Sequence, residues 1–344
     1  MGTTLSFDHF PKGPKNQITD VPGVLVGHKT LSSGPVQTGV TAVLPHGGNL
    51  FREKVTAAVH VINGFGKSTG SIQVEELGTL ETPILLTNTL SVGDVSSELV
   101  KYMLEQNPEI GVDTGTVNPV VMECNDGYLN DIRGLHVTGQ DVREALAAAS
   151  PSFAEGAVGA GRGMSCYQLK GGIGSASRLL EFGGRTYCLG ALVLSNFGSL
   201  ADLIVCGRPV GPRLAADLAM EEDLGSIISI LATDVPLSER QLKRLCRRAS
   251  VGIARTGGHI GNGSGEVVLG FTTAHRIRHQ EERDVIDFPV LAEKNINLMF
   301  RAAAGAVEEA IISSMLHAET VTGRAGHRRL SLAGLLKEEL PAWE

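Results

Sequence analysis

The sequence predicts an α+β protein in which layered sheets carry helices on their outer faces. Strand-like runs rich in Val, Ile and Leu recur along the chain, each closed by Gly, Pro, Asp or Asn. Helical segments are fewer and do not alternate regularly with the strands, which disfavours a doubly wound parallel sheet. The 43 glycines, against 14 prolines, are scattered rather than concentrated, as tight turns and closely packed backbone require. No repeat of fixed period and no linker rich in Ser, Pro or charge divides the 344 residues. A single structural domain, 1–344, is expected.

Taken in order, strands are expected at residues 23–31, 39–45, 55–64 and 82–93. Helices follow at 95–105 and 139–149, then strands at 186–198 and 202–207, and a helix at 214–220. Residues 226–234, "SIISILATD", form a further strand, and 238–249 a helix whose Ser238 and Gln241 make an N-terminal capping box. In that helix Leu242, Leu245 and Ala249 recur at helical spacing. From Ser250 the pattern becomes alternation, with Val251 and Ile253 on one side and Ser250, Gly252 and Ala254 on the other. That is the period of a strand, 250–256. Residues 265–275 pair back on it, and a long helix at 297–319 buries Val307, Ala310, Ile311, Ser314, Met315 and Ala318.

The composition narrows the function classes. A net charge of −7 with 4% aromatics disfavours a nucleic-acid surface, and no segment approaches the length of a membrane span. The start, Met-Gly-Thr-Thr-Leu-Ser-Phe, has no basic stretch before an apolar run, so the cytoplasm is expected. Five dispersed cysteines without a CxxC suggest neither disulfides nor zinc, and no metal or organic cofactor is expected. "NGFGKSTG" (63–70) lacks the first glycine of a phosphate loop. Its Gly66-x-Ser68-x-Gly70 fits a nucleophile elbow only if a helix follows, and "SIQVEELG" is a poor helix start. The clusters "GAVGAGRGMS" and "KGGIGSASR" never complete a dinucleotide fingerprint, and His275 with His279 lies in a polar loop.

A helix meeting a strand without a loop, at a serine preceded by a small residue, marks Ala249–Ser250 as a possible self-cleavage junction. Once cut, Ser250 carries a hydroxyl and a free α-amine. That amine titrates near pH 7.7–8, low enough to act as the hydroxyl's base. The plain reading is a serine that begins a strand.

The blocks "NQITDVPGVLVGHKT", "VHVINGFGKSTG", "EELGTLETPILLTNTLSVG", "DTGTVNPVVMECNDGYLNDI", "GAGRGMSCYQLKGGIGSASR", "LSNFG", "GSIISILATDVPL", "RRASVGIARTGG" and "NGSGEVVLGFTTAH" occur in one order over nearly the whole chain. In them the sequence resembles the L-aminopeptidase/D-alanyl-esterase and β-aminopeptidase family of self-processing serine peptidases. The resemblance implies an αββα sandwich like that of the N-terminal-nucleophile hydrolases, related to ornithine acetyltransferase. It implies cleavage into 1–249 and 250–344, with Ser250 as nucleophile. Asn196 of "LSNFG" would supply an oxyanion donor, and Glu123 of "VMECNDG" would take the substrate ammonium, with Tyr128 beside it. Thr272, expected opposite Ser250 across a hairpin, would orient the nucleophile, and Ser264 and Glu266 rank lower. Ala249 stands where the family can have Gly. The expected substrates are short peptides, amides or esters, attacked through an acyl-enzyme, and the expected assembly is a homo-oligomer, commonly a tetramer. Two alternatives stay open: an acyltransferase, and an unprocessed small-molecule-binding protein.

Overall fold

The computed structural model describes residues 5–215 and 225–339. The chain begins with the hairpin β1 (Leu25–Ser33) and β2 (Val36–Leu44), then β3 (Glu53–Gly64), α1 (Ser71–Leu77), β4 (Thr79–Leu80) and β5 (Ile84–Asn88). Next come α2 (Val92–Gln106), β6 (Val120–Cys124), α3 (Gly139–Ala147), and the short β7 (Ser165–Cys166) and β8 (Leu169–Lys170). The long β9 (Gly172–Phe182) and β10 (Arg185–Asn196) precede β11 (Ile204–Val205), β12 (Arg208–Pro209) and α4 (Gly211–Leu214). The last part holds β13 (Ser226–Thr233), α5 (Glu239–Cys246), α6 (Ala249–Arg255), β14 (Gly265–Arg278), α7 (Ile296–Leu316), β15 (Val321–Thr322), β16 (Arg328–Arg329) and α8 (Leu332–Glu339).

Two mixed sheets dominate: a smaller one in the order β1-β2-β5-β6 and a larger one in the order β4-β3-β14-β13-β10-β9. Within the larger sheet β13 and β14 run parallel and the other pairs antiparallel. The sheets pack face to face, with Val26, Val43, Leu86 and Met122 of one meeting Val59, Leu192, Ile230 and Leu269 of the other. The opposite face of the larger sheet, with Leu189, Val193 and Val268, is covered by Leu242 and Leu245 of α5 and Val307 and Ile311 of α7. Residues of α2 and α3, among them Leu99 and Val142, cover Val40, Ala42 and Leu85 of the smaller sheet. Strands buried on both faces lose polar alternation, which is why Ala191-Leu192-Val193-Leu194 is apolar throughout. Among the described residues no helix is long and apolar enough to cross a membrane.

The structure corrects the sequence reading in four places. His275, expected in a polar loop, is buried on β14, which runs on to Arg278, and "KGGIGSASR" runs into β9. A Cβ on Gly174 would overlap the carbonyl oxygen of Ala310 in α7, so the glycines let helix and strand approach. "SIQVEEL" does form a helix, α1, entered through Gly70 at φ +82°. Residues 120–124, unassigned from the sequence, form β6. Most consequentially, 250–256 is not a strand: α5 ends at Cys246, Arg247-Arg248 turn, and α6 follows at once. Ala249, Gly252 and Ile253 are buried and Val251 is exposed, a helical face rather than a strand's. Gly252 lies against α7, where a Cβ would come 2.7 Å from the Ala304 carbonyl oxygen and 2.8 Å from Val307 Cβ. Of the helix expected at 214–220, only Leu214 falls in α4 (Gly211–Leu214), and residues 216–220 lie outside the described residues.

Candidate active site

The expected trio of Ser250, Asn196 and Thr272 is not brought together. Ser250 sits in the first turn of α6, where its hydroxyl donates to the Arg247 carbonyl oxygen at 2.7 Å. The Ala249–Ser250 peptide thus lies inside a helical run rather than at a helix–strand junction. β14 forms no hairpin with that segment and lies between β13 and β3. Its Thr272 pairs with Thr233 and Thr56, and its hydroxyl donates to Val235 O at 2.7 Å. Asn196 pairs with Ser226, seven residues from Thr233 along the same strand, so Asn196 and Thr272 are separated by about 23 Å of sheet.

What gathers at Asn196 instead is the row Asn196–Ser226–Gly265–Gly64 across β10, β13, β14 and β3. Directly paired residues share a face. Here it is the face toward the smaller sheet, because Leu194, Ile228 and Val267, two residues further into each strand, belong to the core between the sheets. Ser226 opens β13 and is buried. A Cβ on Gly265 would stand 3.2 Å from Ser226 Oγ and 2.6 Å from the Phe65 carbonyl oxygen. The missing side chain therefore leaves space beside the hydroxyl, roofed by the loop after β3. Gly225, immediately before, is equally constrained: a Cβ there would overlap Asn196 O and come within 2.5 Å of Phe197 Cα. The Gly225 carbonyl accepts from Gly265 N at 3.3 Å.

The Asn196 side chain is fixed at both ends. Its Oδ1 accepts from Ser165 N at 2.7 Å and its Nδ2 donates to Asn125 O at 3.0 Å. An amide nitrogen carries two hydrogens, so one remains for a further acceptor. Ser264 and Glu266, which flank Gly265, are both buried, and the Ser264 hydroxyl donates to the Glu266 carboxylate. Asn63 Nδ2 donates to the Ser264 carbonyl and, at 3.0 Å, to that of Gly261, tying the turn before β14 to the end of β3. This turn, ranked low from the sequence, borders Ser226 because the strands pair in parallel.

Glu123, on β6, is buried. Its Oε1 accepts from Lys67 N at 2.8 Å and its Oε2 from the Thr89 hydroxyl, so it pins the loop that roofs Ser226. The half-buried Tyr128 ring is stacked, with the Arg329 guanidinium 3.6 Å and the His327 ring 4.6 Å from its centroid. Sequence reasoning missed Gly225, Ser226 and the buried Ser264–Glu266 pair as principals. The available signal was a Gly-Ser step heading the apolar run "GSIISILATD".

The family model for peptidase family S58 matches residues 16–329. A β-peptidyl aminopeptidase, BapA, of Sphingosinicella microcystinivorans is 40% identical over 340 residues, covering 92% of this chain and 85% of its own. The structure of the PH0078 protein from Pyrococcus horikoshii OT3 superposes with a TM-score of 0.93 at 53% identity, covering 97% of this chain and 96% of that one. That of the L-aminopeptidase D-Ala-esterase/amidase from Ochrobactrum anthropi, described as a new variant among the Ntn hydrolase fold, gives 0.90 at 37% identity, with 97% and 96% covered.

Proposed function

The chain belongs to peptidase family S58 and is an aminopeptidase, and on that premise we propose that it cuts itself between Gly225 and Ser226 and uses the serine so released as its nucleophile. The observation that carries this reading is the pairing of a buried serine, preceded by a glycine that tolerates no Cβ, with the asparagine of the "LSNFG" motif. In the uncut chain Ser226 Oγ attacks the Gly225 carbonyl carbon. The carbonyl oxygen, which accepts from Gly265 N–H, takes up the negative charge, and as the C–N bond breaks the Ser226 nitrogen takes up the proton that Oγ gives up, leaving an ester and the new α-amine. Water hydrolyses the ester, giving chains 1–225 and 226–344.

In the cut enzyme the Ser226 α-amine accepts the Oγ proton as Oγ attacks the substrate carbonyl. The spare Nδ2 hydrogen of Asn196 stabilises the oxyanion; loss of such a donor costs about 3–4 kcal/mol of barrier. The α-ammonium then protonates the departing amine, and water, deprotonated by the same α-amine, clears the acyl ester. The Ser264–Glu266 pair holds the α-amine in place. Glu123 takes the substrate's ammonium: each of its oxygens has one protein donor and capacity for another. The substrates are short peptides, amino-acid amides or esters, and the fold is read as an αββα sandwich of N-terminal-nucleophile type, akin to ornithine acetyltransferase.

Intact mass and N-terminal sequencing test the reading. A second N-terminus Ser-Ile-Ile-Ser-Ile is expected, and Ser226→Ala should remain one inactive chain of 36.2 kDa. A second N-terminus Ser-Val-Gly-Ile-Ala would return the role to Ser250 and sink this proposal.

A further inference from the structure

Lys170, at the end of β8, is fully buried, and burial holds its ammonium well below the usual lysine range. Among the described residues no carboxylate stands at ion-pair distance from it. Its three donors go to backbone carbonyls instead: Gly161 at 2.9 Å, Met164 at 2.7 Å and Gly171 at 2.6 Å. A buried charge is costly unless its donors are satisfied, and these three bonds account for its tolerance. They also hold the loop between residues 161 and 171 closed, a structural role any well-placed donor could fill.

The second of these carbonyls has a further connection. The peptide group of Met164 C=O is completed by Ser165 N–H, and that N–H is the donor to Asn196 Oδ1 at 2.7 Å. Among the described residues no peptide bond is cis, so this C=O and N–H point in opposite directions across one planar unit. Ammonium, peptide group and side-chain amide therefore form one head-to-tail series. It begins at Lys170 Nζ, passes through Met164–Ser165 and ends at Asn196 Nδ2–H, beside Ser226. Hydrogen bonds in series polarise one another, most strongly in a water-excluded site.

We propose that Lys170 is a positioning residue for the hydrolysis: through the Met164–Ser165 peptide it orients and polarises the Asn196 amide, making its N–H a stronger donor to the oxyanion. This deepens the reading above and rests on Asn196 being that donor. Lys170 touches no substrate; its effect should appear in kcat and vanish when Asn196 is removed.

The test is a double-mutant cycle on the self-processed enzyme with an aminoacyl p-nitroanilide. Lys170→Met should lower kcat about tenfold with KM within about twofold, less than the roughly 10²–10³-fold loss on removing an oxyanion donor outright. In the Asn196→Ala background the same change should have no further effect, and Lys170→Arg, which keeps the charge, should retain most of the activity. An equal loss in both backgrounds would reduce Lys170 to a structural tie and overturn the proposal. Full activity of Asn196→Ala would instead overturn the oxyanion reading, and this inference with it. If Lys170→Met does not fold, asparagine-labelled wild-type protein still decides. The Asn196 Nδ2 protons, assigned by their absence in Asn196→Ala, should resonate downfield of ordinary side-chain amides; an ordinary position would sink the proposal.

Discussion

Asp126 shows what a single buried carboxyl does beside this site. It follows Asn125, whose carbonyl anchors the Asn196 amide. It is fully buried; its Oδ1 accepts from Asn130 Nδ2 at 3.0 Å, and its Oδ2 has no hydrogen-bond partner among the described residues. Burial pushes its pKa up to about 7. The folded state thus holds this proton more tightly than the unfolded chain, where an aspartate titrates near 3.9. The stabilisation is complete below about pH 4 and is lost as pH rises through about 7. Thermal melts across that range should show Asp126→Asn flattening the pH dependence and matching or exceeding wild type at pH 8; an unchanged profile would count against it. Gly225→Ala carries a second prediction at this scale. Its Cβ must displace the Asn196 backbone, so self-cleavage, followed by gel after a pulse of synthesis, should slow by at least about tenfold. Both residues escape a sequence reading for one reason: burial and close approach are properties of neighbours brought in from elsewhere in the chain.

At the scale of elements, local signals were most reliable where they were complete. The capping box read at Ser238 and Gln241 is present, with Gln241 N donating to Ser238 Oγ at 3.3 Å and Ser238 N to Gln241 Oε1 at 3.1 Å. The long C-terminal helix was legible from its repeated apolar positions. α6 was not, because seven residues with two apolar side chains fit either period, and contact with α7 decided between them. Gly252→Val should therefore cost about 1–3 kcal/mol by overpacking the α6–α7 crossing, read as a lowered melting temperature. Ser250→Ala, which loses only an i−3 bond to Arg247, should process and catalyse as wild type does, with stability within about 0.5 kcal/mol. Inactivity of that variant would contradict the assignment of Ser226.

At the scale of the whole molecule, a cut before Ser226 leaves the two chains interlocked. β13 and β14, from the C-terminal piece, occupy the middle of the larger sheet between β3 and β10 of the N-terminal piece, and α7 packs across β9 and β10. The pieces 1–225 and 226–344 should co-elute at every salt concentration and part only in denaturant, checked by size exclusion and gel; separation under native conditions would refute the arrangement. The sequence by itself determined the kind of protein: layered sheets with helices outside, most of the strands and long helices, and, through blocks in fixed order, the family, whose resemblance pointed to the asparagine of its motif. Those depend on periodicity, caps and turns, which short stretches encode. Which serine faces that asparagine was decided only by tertiary structure. Strand order and register join residues 196, 226 and 265, and the energy that selects that pairing comes from side chains buried on both faces of a sheet assembled from the whole chain.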